Sequence, residues 1–344
     1  MKKQKYISRK LKDIVAVMQG HCSMLIVMQD YPDPDAIASA AALRDFANTM
    51  AGVQCFVAQG GALGRAENRA MVKYLDLKLH DVTQVDTDRF DIVAMVDTQP
   101  GTGNNSLPEG IIPQIVIDHH PMRQATRGAA FTDVRSRYGA TATILHEYLV
   151  EARIKIDTPI ATALLYGIRS DTGDVGREAS QDDINALMAL YPIANKRALS
   201  RIETERVPRA YFQMLAEALK NAQTFGKCLV TGLGQIDNAD MIGEVADLLL
   251  RNEDSEWTMC YGFCDGKMLF SIRTSDISAN AGRIARRIVG GSGTGGGHNA
   301  FAGGQIPLEM DTQFARRRLE KVILRRFLRA IGASEESGRR LVQT

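Results

Sequence analysis

The chain has 344 residues, 45% of them hydrophobic and 24% charged, with a formal net charge of +2, the composition of an ordinary soluble globular protein long enough for two domains. No apolar run approaches the roughly 18 residues needed to span a bilayer, which excludes a membrane-spanning helix. Five cysteines, an odd number without a repeated spacing, argue against a disulfide framework and for reduced, mostly buried thiols.

In chain order, the basic start Met1-Lys2-Lys3-Gln4-Lys5 is followed by a polar stretch with no apolar core or cleavage site. It reads as the opening of an amphipathic helix in a cytoplasmic protein, not as a secretory leader. Met24-Leu25-Ile26-Val27-Met28, Ile92-Val93-Ala94-Met95-Val96 and Ile115-Val116-Ile117 are short apolar runs of the kind that form buried strands of a parallel sheet. Helices are expected over 36–50, 140–153, 159–167 and 180–190. The last is capped by Ser180, with Asp182 and Asp183 in its first turn as helix-surface charges. Residues 1–190 therefore predict an α/β domain with a doubly wound parallel sheet.

Residues 191–222 are purely helical in pattern, with Leu199, Ile202, Phe212, Leu215 and Leu219 at apolar positions, and predict a helical connector. Strands at 228–233, 257–263 and 267–273, with helices at 242–250 and 279–289, predict a smaller α/β domain over 223–335. Within it, Gly290 to Gly297 form a glycine-rich turn that ends at His298. It follows a helix end rather than a strand, which argues against a dinucleotide-binding loop. Residues 311–344 hold nine Lys or Arg against four Asp or Glu, a charge of +5 that leaves −3 for the rest. This reads first as the solvated face of a C-terminal helix, and second as a rim attractive to polyanions.

The chemistry lies at the ends of the apolar runs. Asp33-Pro34-Asp35, Asp97, Asp118-His119-His120 and Asp171 each follow one, and in an open α/β sheet such positions share the crevice beyond the strand ends. That much negative charge in one crevice calls for divalent cations. Mixed Asp and His ligation suits Mn, with Mg as the alternative, whereas Cys260 and Cys264 lack the partners of a zinc site. Two such ions predict a phosphoesterase that hydrolyses its substrate with metal-bound hydroxide. His21, His80 and His146 lie outside these clusters and read as structural or surface residues.

Taken together, Asp33-x-Asp35, Val96-Asp97, Asp118-His119-His120-Pro121, Gly167-Ile168-x-x-Asp171-Thr172-Gly173 and Gly295-Gly296-Gly297-His298 resemble the Asp-His-His (DHH) phosphoesterase superfamily with its associated C-terminal domain. The layout is most similar to the branch that degrades short oligoribonucleotides and dephosphorylates 3′,5′-bisphosphorylated adenosine, and related to single-strand exonucleases and family II pyrophosphatases. The resemblance implies two divalent metal ions, with Asp97 bridging both, Asp35, His119 and Asp171 completing one site and Asp33 serving the other. It implies that Asp118 orients His119, that His120 contacts substrate phosphate as a catalytic residue beside Asp97, and that Arg273, Gly296, Gly297 and His298 bind substrate. Gln29 stands where the family carries His; a neutral amide is a weak ligand, so one metal should be held less tightly. The expected partner is a short nucleotide or oligonucleotide, with no membrane partner and a homodimer left open. The alternatives are a non-catalytic nucleotide sensor, a pyrophosphatase or polyphosphatase, and an exonuclease.

Overall fold

The computed structural model describes residues 2–61, 63–176, 179–334 and 338–342. The chain divides into two compact units, Met1–Glu205 and Arg206–Thr344. None of the described helices is long and apolar enough to cross a membrane.

The first unit runs α1 (Lys2–Met18), β1 (Ser23–Val27), α2 (Pro34–Ala51), β2 (Gln54–Gln59), α3 (Ala66–Tyr74), β3 (Leu79–Asp81), β4 (Ile92–Val96), β5 (Ile115–Asp118), β6 (Phe131–Val134), α4 (Thr141–Glu151), α5 (Thr158–Thr172), α6 (Gln181–Leu190) and α7 (Lys196–Glu203). Its six strands are all parallel, in the order β3-β2-β1-β4-β5-β6. Strand alternation splits the apolar residues between two faces. Met24, Ile26, Ile92, Ala94, Ile115 and Ile117 join the core beneath the helices, while Leu25, Val27, Val93, Met95 and Val116 form a second cluster covered by loop residues such as Val85, Phe90, Leu107 and Ile111. Each fully buried aliphatic side chain contributes about 1.5–3 kcal/mol.

Helix α2 follows from its sequence. Asp33 caps it by accepting from the Ala36 amide, Pro34 occupies its first turn, and Gly52 ends it in a left-handed conformation. Its alanines at 36, 38, 40, 41, 42 and 47 are all buried, and such small side chains let α4 and α5 pack against it. Helix α1 is tied to the unit by a buried polar cluster. Asp133 accepts from Tyr6 Oη at 2.7 Å, from Arg135 Nη2 at 2.6 Å and from the Tyr148 hydroxyl.

The second unit contains α8 (Arg209–Asn221), β7 (Gln223–Phe225), β8 (Cys228–Gln235), α9 (Asp240–Leu249), β9 (Trp257–Cys264), β10 (Lys267–Thr274), α10 (Ala281–Val289), β11 (Thr294–Gly297), β12 (Phe301–Pro307), α11 (Gln313–Ile331) and β13 (Arg339–Arg340). These strands form one sheet in the order β11-β12-β10-β9-β8-β7-β13. All neighbours are antiparallel except the parallel pair β8 and β9.

Three expectations need correction. The stretch 191–222 is not a separate connector: Leu199 and Ile202 of α7 are buried in the first unit's core, and Ala218 and Ala222 in the second's. The glycine-rich segment is not simply a turn, since 294–297 form strand β11 paired with β12, Gly296 opposite Gly303. Glycine is required there by close approach: a Cβ at Gly293 would sit 2.0 Å from the Gln305 carbonyl oxygen. Asp182 and Asp183 are also unlike each other. Asp182 makes a surface ion pair with Lys3, whereas Asp183 is fully buried.

Candidate metal centre

The order of the first sheet reverses direction between β1 and β4, and a crevice opens beyond the strand ends at such a point. The chain after β1 supplies Gln29, Asp33 and Asp35; Asp97 follows β4; Asp118 closes β5 and is followed by His119 and His120. Asp97 adopts φ +58°, a left-handed conformation uncommon outside glycine and concentrated at functional sites. Asp171 comes not from a strand end but from the last turn of α5, which extends to Thr172 rather than stopping at 167. It reaches the others because α5 crosses α2 at Gly167. A Cβ at Gly167 would stand 3.1 Å from Ala38 Cβ, Asp35 Cα and the Pro34 oxygen. Gly167→Ala should therefore cost about 1–3 kcal/mol by overpacking, despite alanine's higher helix propensity. A melting temperature equal to the parent's would show that the crossing is not tight.

Inside the crevice, Asp35 is fully buried and takes the Thr141 amide at 2.7 Å on one oxygen and the Ala142 amide at 2.8 Å on the other. Asp97 Oδ1 accepts from Thr141 Oγ1 at 3.0 Å. Its Oδ2 is buried without a hydrogen-bond partner among the described residues. His119 Nδ1 lies 3.2 Å from the Tyr138 carbonyl; a carbonyl only accepts, so Nδ1 carries the proton and Nε2 faces Asp171 at 3.2 Å and Asp97 at 3.5 Å. Asp118 does not hold the His119 ring, as the resemblance implied. It accepts from the backbone amides of His119 and His120, from the His120 ring at 2.8 Å and from Gln99 Nε2 at 2.6 Å.

The electrostatics follow. Burial, then the neighbouring carboxylates, push Asp35 and Asp97 well above the usual carboxylate range. Burial and Asp171 bring Asp33 to about 6. Burial opposes a charge on His119, but Asp171 and the other carboxylates outweigh it and raise the imidazole to about 10. Burial would also raise Asp118, yet His120, His119 and the Gln99 amide hold it at about 2. A carboxylate with four donors stays ionised, whereas at Asp35 burial and the neighbouring carboxylates outweigh the nearby His119. Asp35, Asp97 and His119 offer ligand atoms within 4.8 Å of one another, as do Asp97, Asp118 and His120. An unpartnered buried carboxylate oxygen amid such donors fits a hard divalent cation.

Gln29 faces this site. Its Nε2 donates to Asp33 Oδ2 at 2.8 Å, and its Oε1 accepts from Asn104 Nδ2 at 3.1 Å. Asp33 also caps α2 through Oδ1 at 2.9 Å, so both of its oxygens are engaged. Asp30 is held elsewhere, accepting from Ser106 Oγ at 2.8 Å. Gln29→His should tighten Mn binding at the Asp33 side by replacing an amide donor with an imidazole lone pair. Unchanged Mn titration by calorimetry would contradict that.

In the second unit, Arg273 donates Nε and Nη2 to Asp247 at 2.7 and 3.3 Å, and Nη1 to Ser271 Oγ and the Ile272 carbonyl. Its charge is matched by Asp247, a partner the sequence reading missed. Arg273 and His298 both lie against the Phe301 ring, at 5.7 and 4.5 Å from its centroid. The backbone of 297–298 is fixed to α10, the Gly282 amide donating to the His298 carbonyl at 2.9 Å. A Cβ at Gly282 would collide with the Gly297 carbonyl oxygen at 2.3 Å.

Residues 24–168 match the model of the DHH family, N-terminal domain, and residues 225–324 match that of the DHHA1 domain. The chain is 36% identical over 320 residues to an uncharacterized protein of Methanocaldococcus jannaschii, covering 91% of this chain and 65% of that protein. It is 24% identical over 165 residues to a probable manganese-dependent inorganic pyrophosphatase of Staphylococcus saprophyticus, covering 48% of this chain and 53% of that one. It thus spans less than two thirds of the length of either relative. An exopolyphosphatase-related protein from Bacteroides fragilis shares the fold, with TM-score 0.71, 15% identity, and coverage of 94% of this chain and 98% of that one.

Proposed function

The chain carries the N-terminal domain of the DHH family joined to a DHHA1 domain, and from that premise we propose that it is a divalent-metal-dependent phosphohydrolase acting on short oligonucleotides, dinucleotides or bisphosphorylated nucleotides. The observation that carries the reading is the buried Oδ2 of Asp97, without a hydrogen-bond partner among the described residues, beside Asp35, His119 and Asp171. Asp35, Asp97, His119 and Asp171 would hold one cation, and Asp33 with Asp97 a second; Mn is the metal named by one relative. Bound there, such cations would neutralise phosphoryl oxygens and acidify water.

The protein's own groups do the rest. Asp118 fixes the half-exposed His120 by its Nδ1, and the Nε2 of His120 would contact a substrate phosphate. The amides of Thr141 and Ala142 hold Asp35 in one orientation. In the second unit, Gly296, Gly297, His298 and Arg273 would bind substrate, with a phosphate competing against Asp247 for the Arg273 guanidinium.

The experiment is hydrolysis by metal-stripped protein with Mn restored, offered a short oligoribonucleotide, a linear dinucleotide, 3′,5′-bisphosphorylated adenosine and pyrophosphate in parallel. Release of mononucleotides or adenosine monophosphate is expected. Turnover of pyrophosphate alone would favour the second reading, a pyrophosphatase, which the Staphylococcus relative supports. Nucleotide binding without turnover of any of them would make the protein a sensor.

A further inference from the structure

Asp183 lies outside every motif above, yet it is fully buried with both oxygens engaged. One oxygen accepts from the Gly139 amide at 2.8 Å, the Ser180 amide at 2.7 Å and the Ser180 hydroxyl at 2.6 Å. The other accepts from Thr143 Oγ1 at 2.6 Å. The Ser180 bonds form a capping box that serves α6. The bonds to Gly139 and Thr143 reach a different element, bracketing the start of α4.

That start is unusual. Its N-cap residue is Ala140, which provides no side-chain acceptor, so the first amides of α4 need partners from elsewhere. The Thr141 and Ala142 amides find them in the two oxygens of Asp35, while the Thr141 hydroxyl goes to Asp97. One turn of helix thus grips two carboxylates of the metal centre, and one buried carboxylate from α6 grips that turn on either side.

We infer that Asp183 and Thr141 are positioning residues for the metal centre: Asp183 fixes the first turn of α4, and Thr141 in that turn fixes Asp35 and Asp97 in the orientation that receives a cation. This rests on the metal-centre reading and extends it to residues that touch neither cation nor substrate. Groups that orient ligands in this way set affinity because a ligand free to rotate must be ordered on binding. A carboxylate is suited to the anchoring position because it only accepts, and all four groups aimed at it are donors.

The test measures Mn binding to metal-stripped full-length protein by calorimetry, well below the melting temperature, alongside thermal unfolding without metal. Thr141→Val keeps the volume and both backbone amides but removes the hydroxyl; Thr141→Ser restores it. The expected result is Mn affinity about tenfold weaker or more in Thr141→Val and within about twofold of the parent in Thr141→Ser. Asp183→Asn removes the buried charge and replaces one accepting oxygen by an NH2 that is matched only if the Thr143 hydroxyl reverses to accept, and it should weaken Mn binding in the same direction. A purely structural role would lower the melting temperature and leave Mn affinity in the folded protein unchanged, and that result in both Thr141→Val and Asp183→Asn overturns the inference. Weakening in Thr141→Val alone overturns the part assigned to Asp183. Should Asp183→Asn fail to fold, the threonine pair decides. A parent protein that binds no Mn would instead remove the metal centre itself, a failure recognisable before any variant is compared.

Discussion

Asp97→Ala is expected to reduce Mn-dependent turnover by roughly a thousandfold or more, because stabilisation of phosphoryl charge by bound cations is worth several kcal/mol and each 1.36 kcal/mol is about tenfold in rate. The same change should not lower the melting temperature of the metal-free protein. Asp97 is 1% exposed, one of its oxygens has no partner among the described residues, and burial with four neighbouring carboxylates resists its ionisation. Removing it relieves that cost and leaves a small cavity, effects of opposite sign. A structural carboxylate would behave in the reverse way, with stability lost and rate kept. Steady-state turnover and thermal unfolding on the same preparation separate the two; near-parental turnover with intact folding would sink the mechanism.

The second large effect is on stability against pH, and metal reverses it. In the metal-free protein Asp33 is raised from 3.8 to about 6, and Asp35 and Asp97 are likewise raised well above the usual carboxylate range, by burial first and by neighbouring carboxylates second. Unfolded, these groups ionise near 3.8; folded, they keep their protons to higher pH, so the folded state loses relative stability as pH climbs from about 4 through 6 and beyond. His119 acts in the same direction. Its folded value of about 10 against 6.5 gives a stabilisation that is complete below 6.5 and is lost as pH rises through 10. Asp118, lowered to about 2, has the opposite sign, but its contribution is lost only below 3.8. The metal-free melting temperature should therefore fall as pH rises from about 5 to about 8. A divalent cation binds the deprotonated ligands, so its stabilisation should grow over that interval, reaching about 2.7 kcal/mol at a hundredfold excess over Kd. Melting curves with Mn and with a chelator should diverge as pH increases. Parallel curves would mean that the cation does not replace protons on these groups.

How far the site was legible depended on whether a residue's partners lie along one element. Asp35, Asp97 and Asp118 follow strands whose apolar runs are plain in the sequence, and strand ends in a parallel sheet share one crevice, so their convergence could be read directly. Asp171 was found by motif, but its route was misread: it sits on α5, and Gly167 brings that helix against α2. Asp183 was read as a surface charge because Ser180 three residues earlier makes a sufficient local cap. Its bonds to Gly139 and Thr143 span 44 and 40 residues and leave no periodic trace. Thr141 was silent for the same reason, its hydroxyl acting 44 positions away. Arg273 was expected from the resemblance to bind phosphate; its pairing with Asp247 on α9 was not visible in the sequence. The second unit's strands and helices were visible as apolar runs, whereas β11, made of Thr294 and three glycines, owes its conformation to pairing with β12 and not to any propensity of its own.

Anomalous diffraction at the manganese edge, from crystals of metal-stripped protein soaked in Mn, would locate the cations themselves. A strong peak is expected within coordination distance of Asp35, Asp97, His119 and Asp171, and a weaker one toward Asp33, where Gln29 offers only a neutral amide. Manganese absent from this cluster, or bound only at other carboxylates, would contradict it.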